Sequence, residues 1–242
     1  MKVEIPDNLK TEMPPTLWGR ILSATPVVMA VIATMLAGLS SSEMTRAQYS
    51  RSLAAQQQSK AGDQWGFFQA KRLRSALARN TLDIITAAGE VKPVTLALEL
   101  PAIEALKGEQ TDLDARLAAA RDRAKAFDDA LTPVLQQVEQ LPATRDGIAA
   151  RAKFNAARYD AEAKLNQVIG VLYEEQVRQS NATAERHHER SQRFFYGMLA
   201  AQAGVIIATF AIAARKRNLL WSIAAVAGLI AVLFAVWVYL YV

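Results

Sequence analysis

The chain of 242 residues has no cysteine. Disulfides, thiolate metal sites and a cysteine nucleophile are therefore excluded, while either redox compartment remains compatible. Helix breakers are scarce, with 8 prolines and 11 glycines, and the composition is 52% hydrophobic. So apolar and so thinly punctuated a chain points to helices and a membrane rather than to an average soluble domain. Three long stretches lack charge altogether: residues 21–39, 194–214 and 219–242. None contains Asp, Glu, Lys, Arg or His, the usual marks of proton relays and charge-selective paths, which argues against a pump. The formal charge of +5 is modest, and three of the surplus cations are Arg215, Lys216 and Arg217 between two of these runs. That is where a loop facing anionic headgroups carries them, and nothing resembles the basic face of a nucleic-acid binder.

What is present divides into segments. Residues 1–20 carry Pro6, Pro14 and Pro15 and read as an N-terminal arm ending near Trp18, an aromatic suited to a headgroup belt. Residues 21–39 are 19 uncharged positions, close to the ~20 needed to cross the hydrocarbon core, and make transmembrane helix 1. A cleaved signal peptide is the alternative, but its apolar region is usually only ~7–15 residues and no Ala-x-Ala site follows. Residues 194–214 and 219–242 form transmembrane helices 2 and 3, a hairpin with a tight basic turn. Its aromatics Phe194, Phe195 and Tyr196 at one end match Trp237, Tyr239 and Tyr241 at the other.

Between the first and second spans, residues 40–193 read as an extramembrane helical stalk. Residues 40–88 and 143–193 are proline-free and rich in good helix formers. At ~1.5 Å per residue they reach ~73 and ~76 Å, the matched lengths expected of one arm leaving the membrane and another returning. Ser40-Ser41-Ser42-Glu43 has the form of a capping box restarting a helix at the surface. Leu73, Leu77, Thr81, Ile84 and Ala88 make one apolar stripe on the first arm. Residues 94–141 are expected as two shorter tip helices. There Leu113, Leu117, Ala120, Ala124, Phe127 and Leu131 alternate steps of four and three, and Thr132-Pro133 reads as a cap followed by a first-turn proline.

The expected fold is thus an all-α membrane protein with three transmembrane helices and a long antiparallel helical (coiled-coil) stalk between the first and second. The positive-inside rule, applied to the short basic turn, places the stalk in the periplasm of a bacterial inner (cytoplasmic) membrane.

Candidate chemistry is thin. The densest stretch is Trp65, Phe67, Phe68, Gln69, Lys71, Arg72 and Arg74, which packs aromatics against cations on the first arm. Two readings compete there: an aromatic lock between helices with cations snorkelling outward, or a site for an acidic or anionic partner. His187-His188, flanked by Glu185 and Glu189, invites a metal reading, but adjacent histidines on a helix diverge and no third ligand cluster is evident. Inside the membrane Gln202 lies beside Gly204, and Gly228 gives the third span a small face; these three are read as helix-packing residues. No catalytic residues, metal or cofactor are expected.

The run Trp65-Gly66-Phe67-Phe68-Gln69-Ala70-Lys71 resembles the Trp-x-x-Phe/Tyr-Gln-Ala-Lys signature of an uncharacterised bacterial membrane-protein family, domain of unknown function 4337. The likeness extends over nearly the whole chain. It implies three spans around a helical insert and no activity. The expected function is non-enzymatic: a membrane-anchored helical scaffold or assembly subunit, self-associating as a homo-oligomer in the lipid bilayer. The alternative is a subunit of an oligomeric channel or transporter, with Gln202 lining a pore.

Overall fold

Proline-poor, Ala-, Leu- and Gln-rich arms give very long helices in the computed structural model, which describes residues 17–92, 94, 100, 112–213 and 217–241. Four helices follow in order: α1 (Leu17–Ala87), α2 (Leu113–Glu139), α3 (Arg145–Ala213) and α4 (Arg217–Tyr241). Among the described residues there is no strand. Three of the helices, α1, α3 and α4, contain a segment long and apolar enough to cross a membrane. The chain divides into two compact units, one of residues 1–50 and 182–242 and one of residues 51–181.

In the first unit the apolar ends of α1 and α3 pack with α4. Met29, Ala33 and Leu36 of α1 meet Phe194 and Ala201 of α3 and Ala231 and Val238 of α4. Small residues let these helices approach closely: a methyl added to Gly204 or to Gly228 would overlap the Met29 side chain, which lies between the two glycines. Above this core Ser40 Oγ donates to the Ser191 carbonyl at 2.9 Å, and Ser191 Oγ returns a bond to the Ser40 carbonyl at 2.8 Å. Ser40 and Glu43 therefore do not restart a helix. α1 runs through them unbroken, because their polar side chains find partners on α3 rather than on local backbone.

In the second unit α1, α2 and α3 form a three-helix bundle. α1 and α3 are antiparallel: Gln57 bonds Ser180, Trp65 bonds Glu174, and Ser75 bonds the Ala156 carbonyl, so numbers rise on one helix as they fall on the other. The face of α1 turned inward is made of small residues, Ala54, Ala61 and Ser75, opposite Ala152, Ala156, Ala163 and the buried Gly170 of α3. Small side chains permit close backbone approach at these positions, while the Trp65 ring fills the space beside Gly170. The stripe of Leu73, Leu77 and Ile84 consequently faces outward, 63%, 57% and 63% exposed.

α2 buries its heptad face, with Leu117 and Ala120 against Ala61, Ile169, Leu172 and Tyr173, and Phe127, Leu131 and Val138 clustered with Phe154 and with Leu141, just beyond the helix end. It is one helix straight through Pro133, which therefore does not open a new helix after Thr132. A mid-helix proline costs ~3 kcal/mol. The buried side chains on both sides of it contribute ~1.5–3 kcal/mol each, and the residue whose carbonyl loses its bond, Asp129, is exposed to water. Of the expected tip helices, residues 95–99 and 101–111 lie outside the described residues.

The α1 and α3 ends are tied together at their turn. Gly89 has φ 139°, a conformation that L side chains rarely adopt, and its N–H closes onto the Thr86 carbonyl at 3.2 Å. Arg145 Nη2 donates to the Ile85 carbonyl at 2.8 Å, satisfying an end group of α1 from the first residue of α3.

Candidate functional site

The aromatic–basic stretch lies in the second unit, within α1 and against α3. Trp65 is half-buried, and its indole N–H donates to Glu174 Oε1 at 2.8 Å. Phe68 meets its ring edge-on, with centroids 5.5 Å apart at 89°. Gly170 of α3 leaves the space beside the indole; a Cβ there would stand 3.5 Å from Trp65 Cε2 and Nε1, an ordinary van der Waals contact. Trp65 and Phe68 are half-buried, whereas Phe67 and Gln69 are exposed.

One turn further along α1 the cations meet acidic partners. Lys71 pairs with Glu162, a carboxylate only 6% exposed, whose other oxygen accepts from Arg158 Nε at 2.6 Å. Arg72 and Arg79 share Asp160, the former at 3.3 Å. Arg74 takes a different partner, its guanidinium 5.9 Å from the centroid of the Tyr159 ring. Lys71 at 5.5 Å and Arg158 at 5.2 Å lie near the same ring, so three cations share one aromatic side chain. Lys71 therefore turns to a carboxylate of α3, while Arg72 pairs with one yet stays largely in water.

The charge cluster reaches α2 through Asp128. Partial burial holds its carboxyl above the ordinary carboxylate value, and the negative charge of Glu162 adds to the shift, against the pull of Lys71 and Arg158. Ser75 Oγ, buried one turn beyond Lys71, donates to the Ala156 carbonyl at 3.0 Å. The arrangement is an ion-pair latch closing two helices, and its geometry offers no nucleophile beside a base.

Sequence reasoning found the α1 half of this site and missed the α3 half: Tyr159, Asp160, Glu162 and Glu174. One signal was available, since Arg158 and Glu162 stand four apart on one helix face with Tyr159 and Asp160 between them. Their pairing with α1 needs the register of two long helices, which local spacing does not carry.

The histidines fall in the first unit. His187 Nδ1 lies 2.6 Å from Glu43 Oε2, whose other oxygen accepts from Arg46 at 3.1 Å, while His188 Nε2 turns away to Gln192 at 3.0 Å. Among the described residues no group of three His, Asp or Glu side chains is placed to hold a metal ion. Gly204 and Gly228 are buried around Met29, but Gln202, two residues from Gly204, is exposed on the outward face of α3.

The family described as Domain of unknown function (DUF4337) matches residues 18–241. The chain belongs to this DUF4337 family. The match begins just inside α1 and ends with α4, so the whole helical framework of this DUF4337 protein, and not the aromatic stretch alone, is what the family comprises. No curated protein and no solved structure matches it.

Proposed function

We propose that this DUF4337 protein is a membrane-anchored helical scaffold or assembly subunit that works as a homo-oligomer and catalyses no reaction of its own. The observation that carries self-association is Gln202. It lies in an uncharged run of 21 residues, faces outward, and has no hydrogen-bond partner among the described residues. A carboxamide left unpaired in hydrocarbon costs several kcal/mol, on the order of 4–8 in a solvent that cannot bond it. The same amide on a neighbouring copy is a suitable partner, because each carries both a donor and an acceptor. The scaffold reading is supported by the basic stretch, whose cations meet Glu162, Asp160 and Tyr159 of the same chain and so serve helix pairing. This reading sets the protein in the bacterial inner membrane with residues 40–193 in the periplasm, and the basic turn Arg215-Lys216-Arg217 supports that orientation.

The same exposed Gln202 favours a second reading, in which copies arrange the amide around a pore and the protein is a channel or transporter subunit. Mass measurement of the detergent-solubilised protein, paired with ion flux in liposomes, separates the two. The scaffold reading expects an oligomer without flux, loosened by Gln202→Leu. Flux in the wild type that Gln202→Leu alters, with assembly unchanged, establishes the pore instead, and a monomer at all concentrations overturns both. A reporter fused near Gly108 that is active only in the cytoplasm would refute the periplasmic placement.

A further inference from the structure

The outward face of α1 in the second unit carries a second heptad that is left exposed among the described residues. Gly66, Ala70, Leu73, Leu77, Asn80 and Ile84 follow at steps of four and three, and every one is exposed. Residues 64–89 include five charged side chains, Lys71, Arg72, Arg74, Arg79 and Asp83, yet none falls on this seam. A solvated helix face normally shows the opposite distribution, charge outward and leucine inward.

The glycines add an independent observation. Gly62 and Gly66, four apart in the interior of a long helix, have nothing within 4 Å of an added Cβ. The packing of the described residues therefore has no need of glycine at either position, although each weakens the helix by ~1 kcal/mol relative to alanine. Bare backbone on an open helix face is what a second helix requires for close approach.

We propose that a second copy of this chain docks along this face, parallel and in register, with Leu73, Leu77 and Ile84 meeting their counterparts across a two-fold axis. The inference rests on the self-association proposed above and names its surface. Copies inserted in one bilayer with the same topology carry α1 in the same direction and at high effective concentration, which favours a symmetric parallel pair. An uncharged seam meets its own counterpart across a two-fold axis without the like-charge repulsion that a charged one would bring. Asn80 is the one amide on the seam, and across a two-fold axis it can donate to and accept from its own counterpart, a device that sets register. Area is sufficient. Phe67, Leu73, Leu77 and Ile84 each leave on the order of 100 Å² to cover, and with the small residues between them two copies reach roughly 1,000 Å², the lower bound for a specific interface.

The absence of cysteine from the whole chain makes the test direct. In full-length protein in native-like membranes, Leu77→Cys is expected to give a disulfide-linked homodimer on mild oxidation. Thr86→Cys, exposed on a different side of α1, should give at least tenfold less. Leu73→Glu combined with Leu77→Glu should shift the purified protein to lower mass with unchanged helicity, since both positions are exposed in the single chain. If the protein is oligomeric by mass yet Leu77→Cys links no better than Thr86→Cys, this face is wrong while self-association stands. If it is a monomer, both fall. Cross-linking of Leu77→Cys to a protein other than itself would overturn the second copy as occupant.

Discussion

The indole N–H of Trp65 donates to Glu174 Oε1 at 2.8 Å across the α1–α3 pair, joining residues 109 positions apart in the chain. The bond places the aromatic ring over Gly170 and so couples the best-marked stretch of the sequence to the helix that runs back along it.

Trp65→Phe keeps most of the ring and removes the N–H. Glu174 is half-buried and regains water, so the loss should stay near ~1 kcal/mol, the ordinary worth of one hydrogen bond. Thermal unfolding of the solubilised protein followed by circular dichroism measures it. Glu174→Gln, which retains an acceptor, should cost less; an equal or larger loss would mean that the carboxylate charge, not the bond, carries the contact.

The Asp128 carboxyl is held above its ordinary value by partial burial and by Glu162. Its charged form therefore opposes folding, a penalty absent below the ordinary carboxylate value of 3.8 and growing as pH rises through the raised one. Asp128→Asn should raise the unfolding midpoint at pH 7, by at most about 2 °C given the exposure of the side chain. The difference from the wild type should close when both are acidified below pH 3.8. A gain that persists unchanged at low pH would assign the effect to helix propensity instead.

Two glycines of α3 should respond in opposite directions. A Cβ on Gly147 would overlap the Pro142 carbonyl, which is backbone and cannot swing away, so Gly147→Ala should destabilise by about 1–3 kcal/mol. At Gly170 the same methyl would make ordinary contacts at 3.5 Å with Trp65 and Gln64, and the helix gains up to ~1 kcal/mol from losing a glycine. Gly170→Ala should therefore be neutral or stabilising. Comparison of the two unfolding midpoints decides the matter.

The aromatic–basic stretch was legible as an object but not as a contact. Its tryptophan, phenylalanines and cations stand out by composition alone, whereas Glu162, Asp160 and Tyr159 look like ordinary members of a charged helix until α3 is laid against α1. The heptad of α2 was legible because Leu117, Phe127 and Leu131 are large and regularly spaced, and they are indeed the buried residues. Size misleads on α1, where the fully buried positions of the second unit include Ala54, Ala61 and Ser75 while Leu73, Leu77 and Ile84 face out.

By itself the sequence determined that the chain is helical and that three of its segments are long and apolar enough to cross a membrane. Both properties are local sums: an uncharged run of about 20 residues needs no knowledge of its neighbours, and helix propensity accumulates along an unpunctuated arm. Only the tertiary structure decided which face of α1 is turned inward, that Lys71 and Arg158 converge on Glu162, and that Pro133 lies inside a continuous helix. Those outcomes depend on the rotation and register of helices up to 71 residues long. Register is set by many alanine-sized contacts, each too small to be picked out of the sequence and decisive only when added along the whole pairing.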